Sequence, residues 1–144
     1  MHISGDNFQY GKKRSFSSYY FSEYTHIWGW ATWRRAWKFF DFNCVSLEQK
    51  KSNWDKQWYL SARKQNGLAI LPNVNLVSNI GVGGDSTHTK EPIHYANLPS
   101  QQMDFPLIHP KIIMRHRLAD FFTNRDMFKG SFKRLVFQKL LNIT

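Results

Sequence analysis

An α/β fold is the class this sequence predicts, and three observations predict it. Short runs with strand chemistry, Tyr19-Tyr20-Phe21 and Leu68-Ala69-Ile70-Leu71, alternate with stretches whose apolar residues recur every three or four positions. Breakers stand between them, at Gly29, at Asn66-Gly67 and at Pro72. The chain has 144 residues, 42% of them hydrophobic, which is enough for one compact domain with a core and too little for two.

Taken in order, Ile3-Ser4-Gly5 reads as a fragment of strand that begins abruptly, and residues 11–18 as a polar, basic loop. Tyr19, Tyr20, Phe21 and Tyr24 carry the aromatic enrichment of a strand, with a turn around Gly29 after it. Residues 31–40 are expected to be helical, because Trp33, Ala36, Trp37 and Phe40 build one apolar face. A connection over 41–51 leads to a second helix, which Ser52 or Asn53 can cap and which Asn66-Gly67 stops. Residues 68–71 and then 75–80 have strand character broken by Pro72. Pro92, Pro99, Pro106 and Pro110 argue for an extended segment laid over a surface. From Met127 the spacing of Phe128, Phe132, Leu135, Val136 and Leu140 predicts a basic helix. The domain reading is therefore 1–110 for the body and 111–144 for a basic helical extension.

Composition limits the function classes. Six Trp and twelve Phe exclude a disordered tail and suggest a core, a ring-stacking surface, or both. A formal charge of +10 favours an anionic partner without choosing among nucleic acid, anionic lipid, a lipid diphosphate and a sugar nucleotide. The single cysteine, Cys44, rules out an intramolecular disulfide framework and fits a reducing compartment. No apolar run reaches the length of a membrane span, and the start has neither a charged leader nor an apolar core. The expected location is cytoplasmic, extending to a peripheral position on the inner face of the plasma membrane.

Three constellations carry chemistry. In Trp28-Gly29-Trp30-Ala31-Thr32-Trp33-Arg34-Arg35-Ala36-Trp37 the indoles can be a buried helix face, or they can stack on sugar rings while the arginines grip phosphate. In Trp54-Asp55-Lys56-Gln57-Trp58 the carboxylate sits three residues after Ser52, as a capping box requires. The same position, between two indoles, would let Asp55 take a proton from a sugar hydroxyl. The third runs from Pro72 through Gly81 to Asp85-Ser86-Thr87-His88-Thr89. Its Asn, Ser and Gly residues suit a tight turn, His88 alone suits a surface histidine, and the glycines lack the Lys-Ser/Thr of a phosphate loop.

In this order, these segments resemble bacterial glycosyltransferases related to the large family 2. The matching pieces are residues 3–8, 19–22, 28–37, 54–58, 72–81, 85–89 and 105–110. The resemblance implies the C-terminal, acceptor-side half of a GT-A fold, a Rossmann-like nucleotide-diphospho-sugar transferase. It implies a nucleotide-sugar donor, a glycan or lipid-linked acceptor of cell-envelope polysaccharide or lipopolysaccharide, and a divalent cation, manganese or magnesium. By the same resemblance Asp55 is the base of an inverting displacement and His88 joins the metal or diphosphate site. Trp28, Trp30 and Trp58 shape the acceptor pocket, and Arg34 or Arg35 meets phosphate.

Such enzymes hold the cation with Asp-x-Asp at a strand end, and no two aspartates here stand two residues apart. The expectation is that this chain alone does not bind donor normally. The rival expectation is a small basic module whose Trp, Tyr and Arg stack on single-stranded nucleic acid, disfavoured because no recognisable binding signature for it occurs. A third is a chain that has lost catalysis and lies on an anionic membrane surface through the helix after Met127.

Overall fold

The computed structural model describes residues 1–44, 54–81 and 95–125. It is an α/β arrangement built on a small mixed sheet. Strands β1 (His2–Ile3), β2 (Tyr19–Ser22), β3 (Ala31–Thr32) and β4 (Ala69–Pro72) lie in the order β2-β4-β1-β3. Strand β1 is central: it pairs parallel with β4, His2 opposite Ala69, and antiparallel with β3, His2 opposite Thr32. The parallel pair needs a crossover, and helix α2 (Trp54–Lys64) lies in it.

Register sets which side chains share a face. Tyr20 opposes Leu71, Ser22 opposes Ala69, and Ala69 opposes His2, so these five side chains stand on one side of the sheet, and all five are buried. Tyr20, Ala69 and Leu71 form a compact apolar cluster with Ala119 of helix α3 (Arg117–Thr123). Trp58 of α2, fully buried, meets His2 on the same side.

Helix α2 ends as its sequence predicts, with one refinement. Asn66, at φ 51°, takes the left-handed position, and Gly67 follows it. Gly67 N–H donates to Ala62 C=O at 2.9 Å and Asn66 N–H to Arg63 C=O at 2.9 Å, which together close the helix in a Schellman motif. A Cβ at Gly67 would lie 3.0 Å from the Ala62 carbonyl oxygen and would displace the end of the Met1 side chain.

Two expectations need correction, and one element was not anticipated. The helix expected over 31–40 is only α1 (Arg34–Trp37), because Ala31 and Thr32 are claimed by β1 and Trp33 is extended at φ −93° and ψ 146°. Thr32 Oγ1 donates to Met1 C=O at 2.7 Å, which holds the residue in the sheet. Residues 75–80 form no strand. The Asn73 and Asn75 side chains bond to neighbouring loops instead, Asn73 Nδ2 to Ser17 C=O at 2.6 Å and Asn75 Nδ2 to Leu98 C=O at 3.2 Å. Helix α3 is an element the spacing did not suggest; the helix expected from Met127 lies outside the described residues.

The proline-punctuated segment is extended over the surface where it is described, and it sheathes the outer edge of β2. Ser18 N–H donates to Ile108 C=O at 2.8 Å, His116 N–H donates to Phe21 C=O at 2.8 Å, and Phe21 bridges Arg115 in parallel. The described part of residues 111–144 is thereby joined to the body. No helix among the described residues is long and apolar enough to cross a membrane.

Candidate functional site

The sequence places Trp54 and Trp58 one turn apart, and α2 turns them toward the segment that follows Gly29. Trp58 packs on Trp37 with ring centroids 5.1 Å apart, Trp54 on Trp30 at 5.2 Å, and Trp30 on Trp37 at 6.1 Å. Phe40 stacks on Trp37 at 4.7 Å and Phe42 meets Phe40 edge-on at 4.6 Å. The result is an aromatic layer with a buried floor, Trp58, and an open rim, since Trp37, Trp54 and Phe42 are all exposed. Rings in such contact gain beyond their burial, and an open indole face offers a flat apolar platform.

The floor is anchored by a histidine held in one tautomer. Trp58 Nε1–H, which can only donate, points at His2 Nδ1 at 3.0 Å, and His2 Nε2 lies 2.6 Å from the His26 carbonyl, which can only accept. The imidazole is therefore neutral with its proton on Nε2. Burial penalises its cationic form and lowers its pKa to about 4, and Trp30 stacks on it at 5.4 Å.

Asp55 lies in the first turn of α2, beside this rim and half-buried. Its Oδ1 accepts the Lys56 amide at 2.8 Å; among the described residues Oδ2 has no hydrogen-bond or ionic partner. The capping box anticipated with Ser52 lies outside the described residues, as does His88. Arg34 and Arg35 are exposed on α1, with the Arg35 guanidinium 5.1 Å over the Trp33 ring.

The structure does not bring Trp28 into this layer. Gly29, at φ 59°, turns the chain between the two indoles, and Val77 Cγ2 would lie 2.5 Å from a Cβ there. Trp28 accordingly packs in a second cluster, 5.2 Å from Phe8 and 5.7 Å from Tyr95.

Beneath that second cluster lies a buried polar group that sequence reasoning missed. Ser4 Oγ–H donates to Asp6 Oδ1 at 2.6 Å and approaches the Trp28 carbonyl at 3.1 Å. His26 Nδ1 is 3.2 Å from Asp6 Oδ1 without the alignment of a hydrogen bond, and Asp6 Oδ2 and both His26 nitrogens are otherwise unpartnered. Its Ser, Asp and His side chains are all buried, and Ser4 ties the group to the backbone of the turn at Trp28. The available signal was Ser-x-Asp directly after the short strand β1, two small polar residues next to an otherwise aromatic-rich stretch.

A separate cleft of about 420 Å³ opens between the loop around Phe16, residues Asn73 and Val74, and the segment around Pro106. It contains neither Asp55 nor any indole. Among the described residues no group of three or more His, Cys, Asp or Glu side chains is arranged to hold a metal ion. Comparison with protein-family models, with curated proteins and with solved structures finds no match to this chain.

Proposed function

We propose that this chain is the acceptor-side portion of a GT-A nucleotide-sugar glycosyltransferase and that Asp55 is its general base. One observation carries the reading: a half-buried carboxylate with one oxygen uncommitted among the described residues, at the start of the helix whose Trp54 and Trp58 belong to the open aromatic layer. An acceptor sugar stacks its apolar face on the rim indoles, which orients one hydroxyl toward Asp55. As that oxygen attacks the anomeric carbon of the donor, Asp55 accepts its proton, and the bond from the anomeric carbon to the diphosphate oxygen breaks with inversion. In enzymes of this type a divalent cation neutralises the departing diphosphate. In this reading the donor-binding half with its Asp-x-Asp supplies most of that site and His88 joins it, while Arg34 or Arg35 meets phosphate.

The test is sugar transfer by this chain supplied with a donor-binding half. Asp55→Asn is expected to lower kcat by roughly 10²- to 10⁴-fold, the usual worth of a general base, with donor affinity unchanged. Normal turnover in that variant removes Asp55 from the chemistry. On the chain alone, indole fluorescence is expected to respond to acceptor saccharides. Tight, salt-sensitive binding of oligonucleotides with no response to saccharides would favour the nucleic-acid module instead.

A further inference from the structure

Helix α3 is oriented against its own amphipathicity. It buries Ala119, Asp120 and Thr123 and leaves Leu118 and Phe121 56% and 59% exposed. A surface helix ordinarily does the reverse. Asp120 is held inward by Ser22 Oγ–H at 2.5 Å, the Glu23 amide at 3.2 Å and Arg115 Nε–H at 2.6 Å, so the apolar side chains are turned out.

The chain just before α3 extends this apolar surface. It is tied to the β2 edge at His109, whose Nδ1 lies 3.0 Å from Tyr19 Oη, and again at His116. Between these ties Ile112, Ile113 and Met114 are 67% to 77% exposed, three consecutive apolar residues with Lys111 before them and Arg117 after. The loop before β2 lies alongside: His116 Nε2 meets the Arg14 carbonyl at 2.9 Å, and the Arg14 guanidinium covers the Phe122 ring at 3.9 Å. That loop adds Lys12, Lys13 and a wholly exposed Phe16. Lys12, Lys13, Lys111 and Arg117 are exposed and form no ion pair among the described residues.

We propose that this surface, centred on Ile112-Ile113-Met114 and continued by Leu118 and Phe121, docks on an anionic lipid bilayer. Aliphatic side chains on a loop tip suit the boundary between headgroups and acyl chains, and cations beside them suit anionic headgroups. A second copy of the chain is a poor occupant, because each carries a formal charge of +10 and a self-paired face would set its lysines against their equivalents. The assignment is independent of glycosyl transfer and uses residues other than the basic tail after Met127.

The experiment is co-sedimentation of the full chain with vesicles of phosphatidylcholine alone and of phosphatidylcholine mixed with phosphatidylglycerol. Binding is expected to be about tenfold or more stronger to the mixed vesicles and to weaken with salt. The variant I112S/I113S/M114S is expected to lose about tenfold or more of that binding, with its thermal melt unchanged because the three side chains are already in water. Leu118→Ser is a second variant, with a smaller loss expected; Lys111→Glu with Arg117→Glu should abolish the preference for anionic vesicles. Failure of the wild-type chain to bind, or undiminished binding by the triple variant, overturns the proposal. So does a wild-type dimer that the triple variant converts to monomer, which would assign the surface to a second copy. Oligonucleotide binding lost in the same variant, without vesicle binding, would assign it to nucleic acid.

Discussion

Helix α2 turns Trp58 and Ala62 inward and seats an indole on His2, whereas α3, packed against the same face of the sheet, turns Asp120 and Thr123 inward and leaves its larger apolar residues outside. The first contact gains by removing a large ring from water. The second gains little from burial and depends on every polar atom finding a partner: Ser22, Glu23 and Arg115 for Asp120, and Gln9 Nε2–H at 2.9 Å for Thr123 Oγ1. The α2 side should therefore fail by leaving a hole, and the α3 side by stranding a polar group.

That contrast can be broken most forcefully at its apolar end. Trp58→Ala removes the floor of the aromatic layer and is expected to cost roughly 3–5 kcal/mol in urea unfolding, as large aromatic-to-alanine changes in cores do. Acid tests the same contact through His2. Its folded pKa of about 4 lies below the ordinary 6.5, so the unfolded chain binds the extra proton between those values. The contribution of His2 is complete above pH 6.5 and is lost as pH falls toward 4, an effect on the order of 3 kcal/mol. Unfolding measured across that range should show a flatter pH dependence in His2→Gln; an unchanged slope would remove His2 as the cause.

The α3 end is sharpened by Asp120→Asn, which keeps the shape of the side chain but replaces one acceptor oxygen with a donor. It weakens the bonds from Arg115, Ser22 and the Glu23 amide, and a loss of about 1–3 kcal/mol is expected, with melting more sensitive to salt in the wild type than in the variant. The smallest effect belongs to the turn that ends α2. Asn66→Ala puts a residue that resists positive φ at 51° and should cost about 1 kcal/mol, whereas Asn66→Gly should be neutral or slightly stabilising.

The sequence made β2, α2 and β4 legible because each has a run long enough to express its period and a breaker at its end. Residues 31–40 misled because Trp33, Ala36, Trp37 and Phe40 do carry a helical period, while pairing of Ala31 and Thr32 with β1 is a long-range contact that no local pattern announces. The closeness of Trp30, Trp37, Trp54 and Trp58 was legible as a density of indoles. The divergence of Trp28 was not, since it depends on the backbone at Gly29 and on Val77 crossing over it. Nor was the inward turn of Asp120. Leu118 and Phe121 look like a core stripe until Arg115, five residues before the aspartate, is seen to hold it in.

Because residues 108–116 occupy the outer edge of β2, the sheet is asymmetric in its capacity to grow. Of its two borders, the one formed by β2 is already spoken for, and the other is the two-residue β3. Among the described residues the border left open to an added strand, such as one from a fusion made in the laboratory, is the one beside Ala31 and Thr32. Linkers for such a fusion should therefore be routed to that border.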